Sequence, residues 1–168
     1  GIKIDNLYLR SMTFNPTTAG ITLGTATTTN VAVATKAVID GKFGTPISAG
    51  ATTATPTTDA STGLAFVPLV ANQATVLVWG ANAAGALKLA QGSIEPTFAG
   101  SGTTAGGFIN APQFPLLPDD FCPLAYTLVR TSPTGSAFTA GTTAWAASGI
   151  TTMTPVNVCT LPNRPQIS

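Results

Sequence analysis

Apolar and polar side chains alternate along much of this 168-residue chain, and the three-and-four spacing of an amphipathic helix is nearly absent. The alternating positions from Val31 to Ile39 fall on one face of an extended segment that ends at the turn dipeptide Asp40-Gly41. Thirteen prolines and 17 glycines punctuate the chain and disfavour long helices. The pattern predicts an all-β protein made of short strands.

Individual strands can be placed from the same alternation. The segment Ala74–Pro96 gives the clearest hairpin, since two apolar runs flank a connection of small residues. Leu124–Arg130 has the composition of a central strand, and Gly149–Thr154 and Val156–Leu161 are the last two candidates. About eight to ten short strands are predicted, as in an antiparallel β-sandwich or a jelly-roll-like domain.

The length is that of one domain, and we expect residues 1–168 to form a single β domain. Residues 1–14 alternate with a slip in phase at Asp5-Asn6, which indicates a bulged or broken strand. We also expect this segment, or the Pro-rich tail, to act as a docking strand or arm. Residues 45–61 are rich in Thr, Ala and Pro, and we expect a long loop or an exposed edge there.

Charge is scarce, with seven Lys or Arg, six Asp or Glu and no His, so charged residues make up 8% of the chain. Soluble domains carry about 25%. Few and scattered basic residues argue against nucleic-acid binding, which neutralises phosphates with clustered Lys and Arg. Two spans, residues 60–87 and 131–163, contain no charged residue at all. We expect these spans to be buried in the core or against neighbouring molecules.

The missing residue types also limit the chemistry. Without His, neither a Ser-His-Asp nor a Cys-His arrangement can form, and we expect no catalytic residue and no cofactor. Two cysteines cannot make a four-ligand zinc site. Asp119-Asp120 is the one adjacent carboxylate pair, a weak candidate for calcium with loop carbonyls, although a solvated turn explains it equally simply.

Four other residues leave alternatives open. Cys122 and Cys159 follow or precede predicted strands, so a disulfide is sterically possible, but two buried thiols are the simpler state. Trp79 lies in the most apolar strand and is expected in the core. Trp145 lies in a loop, where it could equally anchor an interface.

Membrane insertion and disorder are both disfavoured. The uncharged stretches are interrupted before about 20 apolar residues accumulate, so we expect no membrane-spanning helix. Gly1–Arg10 lacks the basic segment and apolar block of a signal peptide. A mean hydropathy of +0.34 with a net charge of +1 is unlike a disordered chain.

Several segments, which together cover about three-quarters of the chain, resemble segments of known proteins when they are taken in order. They are a Thr-rich strand ending in Ile39-Asp40-Gly41-Lys42, the hairpin around Val76–Trp79 and Asn82–Leu87, the run Pro115–Asp120 before Leu124–Arg130, and the end from Phe138 through Trp145 to Pro165. In this order they resemble small β-sandwich structural proteins of tailed bacteriophages, either head decoration (cement) proteins or parts of fibres.

This resemblance implies a non-enzymatic virion protein made in the host cytoplasm, in particular a capsid decoration protein that packs between capsomers. It implies a homo-oligomer, with a trimer as the first expectation, and contacts with the major capsid protein or other virion proteins. The sparse charge independently favours self-association, since a net charge near zero gives little repulsion between copies. The residues we expect at interfaces are Ile2, Ile4, Leu7, Leu9, Trp145 and Arg164.

Two other functions remain open. A fibre tip or a receptor-binding or carbohydrate-binding β module would use exposed aromatic side chains and a loop carboxylate such as Asp119 or Asp120. A bacterial surface subunit, such as a pilin or S-layer-like domain, would share the Thr-rich β composition but would be exported through a signal peptide.

Overall fold

The computed structural model describes residues 12–167, which form an all-β fold of ten strands without a helix. The prediction of an all-β chain with eight to ten short strands is confirmed. The strands are β1 (Ile21–Leu23), β2 (Thr28–Val31), β3 (Val38–Ile39), β4 (Lys42–Phe43), β5 (Gly50–Ala54), β6 (Gln73–Ala81), β7 (Leu87–Pro96), β8 (Cys122–Thr131), β9 (Ile150–Thr152) and β10 (Val156–Asn157).

The three longest strands make a central antiparallel sheet in the order β7-β6-β8. β9 and β10 both pair with the outer edge of β8, β9 opposite Val129–Thr131 and β10 opposite Ala125 and Tyr126. They therefore act as one interrupted edge strand. The predicted Ala74–Pro96 hairpin is present as β6 and β7, and the predicted Leu124–Arg130 strand lies within β8.

Two smaller antiparallel units lie outside this sheet, namely the three-stranded sheet β1-β2-β5 and the hairpin β3-β4. Asp40 and Gly41 join β3 to β4 with φ angles of 52° and 77°, as a tight hairpin turn of left-handed residues requires. The turn predicted at Asp40-Gly41 is thus confirmed. Phe14 pairs with Val38, so the segment entering at Met12 lies beside β3.

The expectation of one extended segment with a shared face from Val31 to Ile39 is wrong, because three parts of this segment pair with different partners. Val33 donates its N–H to the Ala19 carbonyl, Thr35 exchanges hydrogen bonds with Ile47, and Val38 pairs with Phe14 and with β4. Alternation in sequence does not reveal such changes, since each short piece keeps the same extended backbone.

The segment 45–61, expected to be mainly a loop, contains the edge strand β5. The nine residues between Pro46 and Pro56 contain no proline, and the five residues of β5 lie among them with their backbone N–H groups available for pairing. Of the two expectations for this segment, the exposed edge describes β5, which within residues 12–167 pairs with β2 and with no second strand.

The central sheet is buried on both faces. Successive side chains of a strand point to opposite sides, and in β6 Leu77 and Trp79 face one core while Val76 and Val78 face another. The first core lies between the central sheet and the smaller units and includes Ile21, Val31, Phe66, Leu69, Leu89, Val129, Phe138 and Trp145. The second core is covered by loop and tail residues, among them Phe108, Phe114, Leu117, Met153, Val156 and Leu161.

Hydroxyl groups connect the layers inside the first core. The Thr29 hydroxyl, fully buried on β2, accepts a hydrogen bond from Trp79 Nε1 at 3.2 Å and lies 2.7 Å from the Thr55 hydroxyl. Trp145 Nε1 donates to the Thr28 carbonyl at 3.0 Å. The small sheet is therefore tied to the central sheet by indole and threonine groups, which pair inside the core without any charge to desolvate.

Replacing Thr29 by Val keeps the shape of this side chain and removes its hydroxyl. Trp79 Nε1 and the Thr55 hydroxyl then lose a buried partner, and we expect a loss of about 2 kcal/mol or more in the free energy of unfolding. Thr52→Val on the exposed strand β5 is the matched control, expected within about 0.5 kcal/mol of the parent. Equal urea midpoints for the two variants would contradict this role for Thr29.

Gly80 on β6 leaves room for the ring of Phe121 in the second core. A Cβ at position 80 would lie 2.3 Å from Phe121 Cε1, and this ring is fully buried. We expect Gly80→Ala to destabilise the fold by about 2 to 4 kcal/mol through displacement of the ring. Gly107→Ala, where a Cβ meets nothing within 4 Å, should leave the melting temperature nearly unchanged in the same calorimetric experiment.

Candidate interaction surfaces

Three exposed aliphatic side chains occur at every third position of the segment between β5 and β6. Leu64, Val67 and Val70 are 71%, 57% and 59% exposed, whereas Phe66 and Leu69 between them are buried in the first core. We call residues 64–70 the apolar strip. The strip lies within the uncharged span 60–87. Its buried residues, Phe66 and Leu69, fix the segment on the first core, while its other apolar side chains remain exposed to solvent.

The apolar strip is fixed by hydrogen bonds to its backbone. Val67 donates its N–H to Gln91 Oε1 at 3.0 Å, and Gln91 Nε2 donates to the Val67 carbonyl at 3.1 Å. Leu69 and Phe138 exchange two backbone hydrogen bonds, and the Thr131 hydroxyl donates to the Val70 carbonyl at 2.5 Å. A partner that contacts this strip would meet an ordered surface and lose little entropy in ordering it.

A second exposed apolar group crosses the outer side of the β3-β4 hairpin. Phe14, Val38 and Phe43 are opposite one another in register, and opposite residues of antiparallel strands point to the same face. Phe14 and Phe43 are 39% and 70% exposed, whereas Val38 between them is buried and Ile39 on the other face belongs to the first core. We call Phe14 and Phe43 the aromatic ridge, and beside it Gly41 donates its N–H to the Met12 carbonyl.

The residues predicted for interfaces differ in whether the structure describes them and in whether they are exposed. Ile2, Ile4, Leu7 and Leu9 lie outside the described residues 12–167. Arg164 is exposed on the carboxyl-terminal segment, which folds against Tyr126 through a hydrogen bond from the Gln166 N–H to the tyrosine hydroxyl. Arg164 thus keeps the accessibility that an interface residue needs.

Trp145 is a core residue, and the expectation that it anchors an interface is wrong. Its side chain is 4% exposed, and its ring centroid lies 5.8 Å from that of Trp79 and 5.6 Å from that of Phe138. The loop position suggested exposure, but the Trp145 N–H donates a hydrogen bond to the Ala26 carbonyl, which holds this segment against the fold. Trp79 is fully buried, as predicted.

The two cysteines lie in different environments and are thiols in the structure. Cys122 is buried on β8 in the first core, and Cys159 is exposed on the segment after β10. The expectation that both thiols are buried is wrong for Cys159, whose side chain is exposed while its backbone carbonyl accepts a hydrogen bond from the Asn15 N–H.

Asp119 and Asp120 form an exposed bend before β8. Asp120 Oδ1 accepts a hydrogen bond from the Ala83 N–H at 2.8 Å and so ties this bend to the turn between β6 and β7. Among residues 12–167, no three His, Cys, Asp or Glu side chains come together as a metal ion would need. The arrangement favours the turn interpretation of this pair over a calcium site.

A buried carboxylate that the sequence analysis missed, Asp59, lines the same cleft as Asp120. Asp59 is 5% exposed, and its Oδ1 accepts hydrogen bonds from the Ser61 N–H and hydroxyl, both at 2.9 Å, and from the Gln91 N–H at 3.2 Å. Asp59 and Asp120 both line a cleft of about 500 Å³, whose wall includes Asn82 and Lys88. The one available signal was that Asp59 is the single charge within residues 45–61.

No helix within residues 12–167 has the length and hydropathy to cross a bilayer. In comparisons with known proteins, no family model, no curated protein and no solved structure matches this chain.

Proposed function

We propose that this chain is a non-enzymatic structural protein of a bacteriophage virion, and specifically a capsid decoration protein that packs between capsomers as a homotrimer. The observation that carries the proposal is the apolar strip, an exposed and hydrogen-bonded row of aliphatic side chains within an uncharged span. The resemblance of the ordered segments to phage virion proteins supplies the setting, and the β-sandwich-like fold is consistent with it.

The composition of the surface supports an assembly role. Burying the exposed parts of Leu64, Val67 and Val70 would contribute roughly 1 to 2 kcal/mol each, from the apolar area removed from water. No charged side chain occurs between residues 60 and 87, so contact there costs little desolvation. We assign a second copy of the chain to this strip, because a net charge of +1 gives copies little electrostatic reason to stay apart.

Residues 1–14 are proposed as the arm that reaches neighbouring molecules. At the described end of this segment, Phe14 pairs with Val38 of β3 and the Met12 carbonyl accepts a hydrogen bond from the Gly41 N–H.

Two alternatives are kept as candidates. A fibre or carbohydrate-binding module is favoured by one observation, the cleft lined by Asp59 and Asp120, which is developed below. A bacterial surface subunit, such as a pilin or S-layer-like domain, remains an alternative on composition alone.

Placing a charge on the apolar strip should break contacts between copies. We expect the Val67→Asp variant to have the molar mass of a monomer in size-exclusion chromatography with light scattering. Contact between copies would require desolvation of the new carboxylate, which is unfavourable. The backbone bonds of Val67 to Gln91 do not involve its side chain, so the variant should fold. Leu116→Asp is the matched control, since Leu116 is 92% exposed but lies outside the strip. A monomeric parent at high concentration would contradict the assembly proposal.

The location in the virion is tested on particles. Immunogold labelling of virions from the encoding phage should decorate the head at regular intervals, and removal of the protein should lower the temperature at which the head releases its genome. Labelling confined to the tail would favour the fibre alternative, and unlabelled virions would contradict a place in the particle.

A further inference from the structure

We propose that the cleft between Asp59 and Asp120 binds a neutral saccharide. The cleft is formed by the turn at residues 56–63, the start of β7 and the bend at residues 118–121. Its volume of about 500 Å³ lies within the range of about 300 to 1,000 Å³ found for small-molecule sites. This activity goes beyond the proposed structural role and does not depend on it.

The first argument is the open oxygen of a buried carboxylate. All three hydrogen bonds to the Asp59 side chain reach Oδ1, whereas Oδ2 accepts none from residues 12–167. Among residues 12–167, Asp59 Oδ2 is not one of the polar atoms that are fully enclosed and lack a hydrogen-bond partner. Oδ2 therefore keeps some contact with solvent. Asp59 is 5% exposed and lines the cleft, and its Oδ2 has no hydrogen-bond partner among the described residues, whereas three donors hold Oδ1 in place.

The second argument is the mixture of donors and acceptors on the wall. Asn82 Oδ1 is occupied by the Ala86 N–H at 2.9 Å, which leaves the Asn82 amide NH₂ as a donor. Asp120 Oδ1 is occupied by the Ala83 N–H, which leaves Oδ2 as an acceptor, and Lys88 adds an ammonium. Sugar hydroxyls both donate and accept, so adjacent hydroxyls can pair with a carboxylate and an amide together.

The same wall disfavours charged ligands. Two carboxylates repel a phosphate or another acid, and the Lys88 ammonium repels a divalent cation. No third acidic side chain joins the pair to complete a cation site within the described residues. Leu87 and Pro118 add apolar surface, against which the C–H face of a sugar ring can pack.

The test is a titration of the full chain with neutral sugars, followed by amide chemical shifts in ¹H–¹⁵N NMR spectra. The probes are glucose, galactose, mannose, N-acetylglucosamine, maltose and lactose. We expect at least one sugar to cause saturable shifts at Ser61, Ala83 and Gln91, whose N–H groups contact the two carboxylates. Asp120→Asn should weaken that binding at least fivefold.

Asp119→Asn is the matched control, because Asp119 is the exposed neighbour of Asp120 and does not line the cleft. Its affinity should equal that of the parent. Asp59→Asn should weaken binding at least tenfold, and its melting temperature shows whether the Oδ1 hydrogen bonds survive. The Asp120 variant keeps the test valid if the Asp59 variant unfolds.

Three outcomes would overturn the proposal: no saturable shift with any of the six sugars, equal losses in the Asp119 and Asp120 variants, or shifts at these amides with calcium chloride alone. None of them affects the structural role, because the oligomer and the Val67→Asp variant are measured without sugar. Conversely, a monomeric chain that binds a sugar at this cleft would remove the assembly proposal and keep this one.

Discussion

Burial of the central sheet on both faces is the constraint on which the rest of the structure depends. β6 is buried along nearly its whole length, and β8 is buried at every position except Arg130. Side chains on opposite faces of these strands need separate apolar cover, so the chain must supply a layer on each side. The smaller sheets cover one face, and the loop before β8 together with the carboxyl-terminal segment covers the other.

The irregular segments that cover the sheet have backbone N–H and C=O groups that no β-ladder pairs. Neutral side chains form hydrogen bonds with many of these groups. Gln91 binds both backbone groups of Val67, and Thr131 binds the Val70 carbonyl. Threonine makes up 30 of the 168 residues. It occurs in strands, and its hydroxyls also form hydrogen bonds in the interior. Hydroxyls and amides satisfy buried backbone without the desolvation cost of charge, which explains how a chain with 8% charged residues folds.

The features that support a function all lie on the covering layers. The apolar strip, the aromatic ridge and the cleft are formed by turns and short strands that the central sheet holds in place. A β-sandwich does not by itself determine a function, so the functional argument has to come from these surfaces. The proposal of assembly depends on the strip, and the proposal of ligand binding depends on the cleft.

The sequence alone determined the all-β class, the β6-β7 hairpin, the turn at Asp40-Gly41 and the burial of Trp79, because each depends on alternation or turn chemistry within a few residues. It could not place Trp145, whose burial depends on contacts with Trp79 and Phe138.

Tertiary structure also decided that Asp59 and Asp120 line one cleft and that only one of the two adjacent aspartates does so. These outcomes depend on which distant segments cover which face of the sheet. Local patterns carry no information on that choice, since the covering segments are irregular and are held by side-chain hydrogen bonds rather than by a repeating ladder.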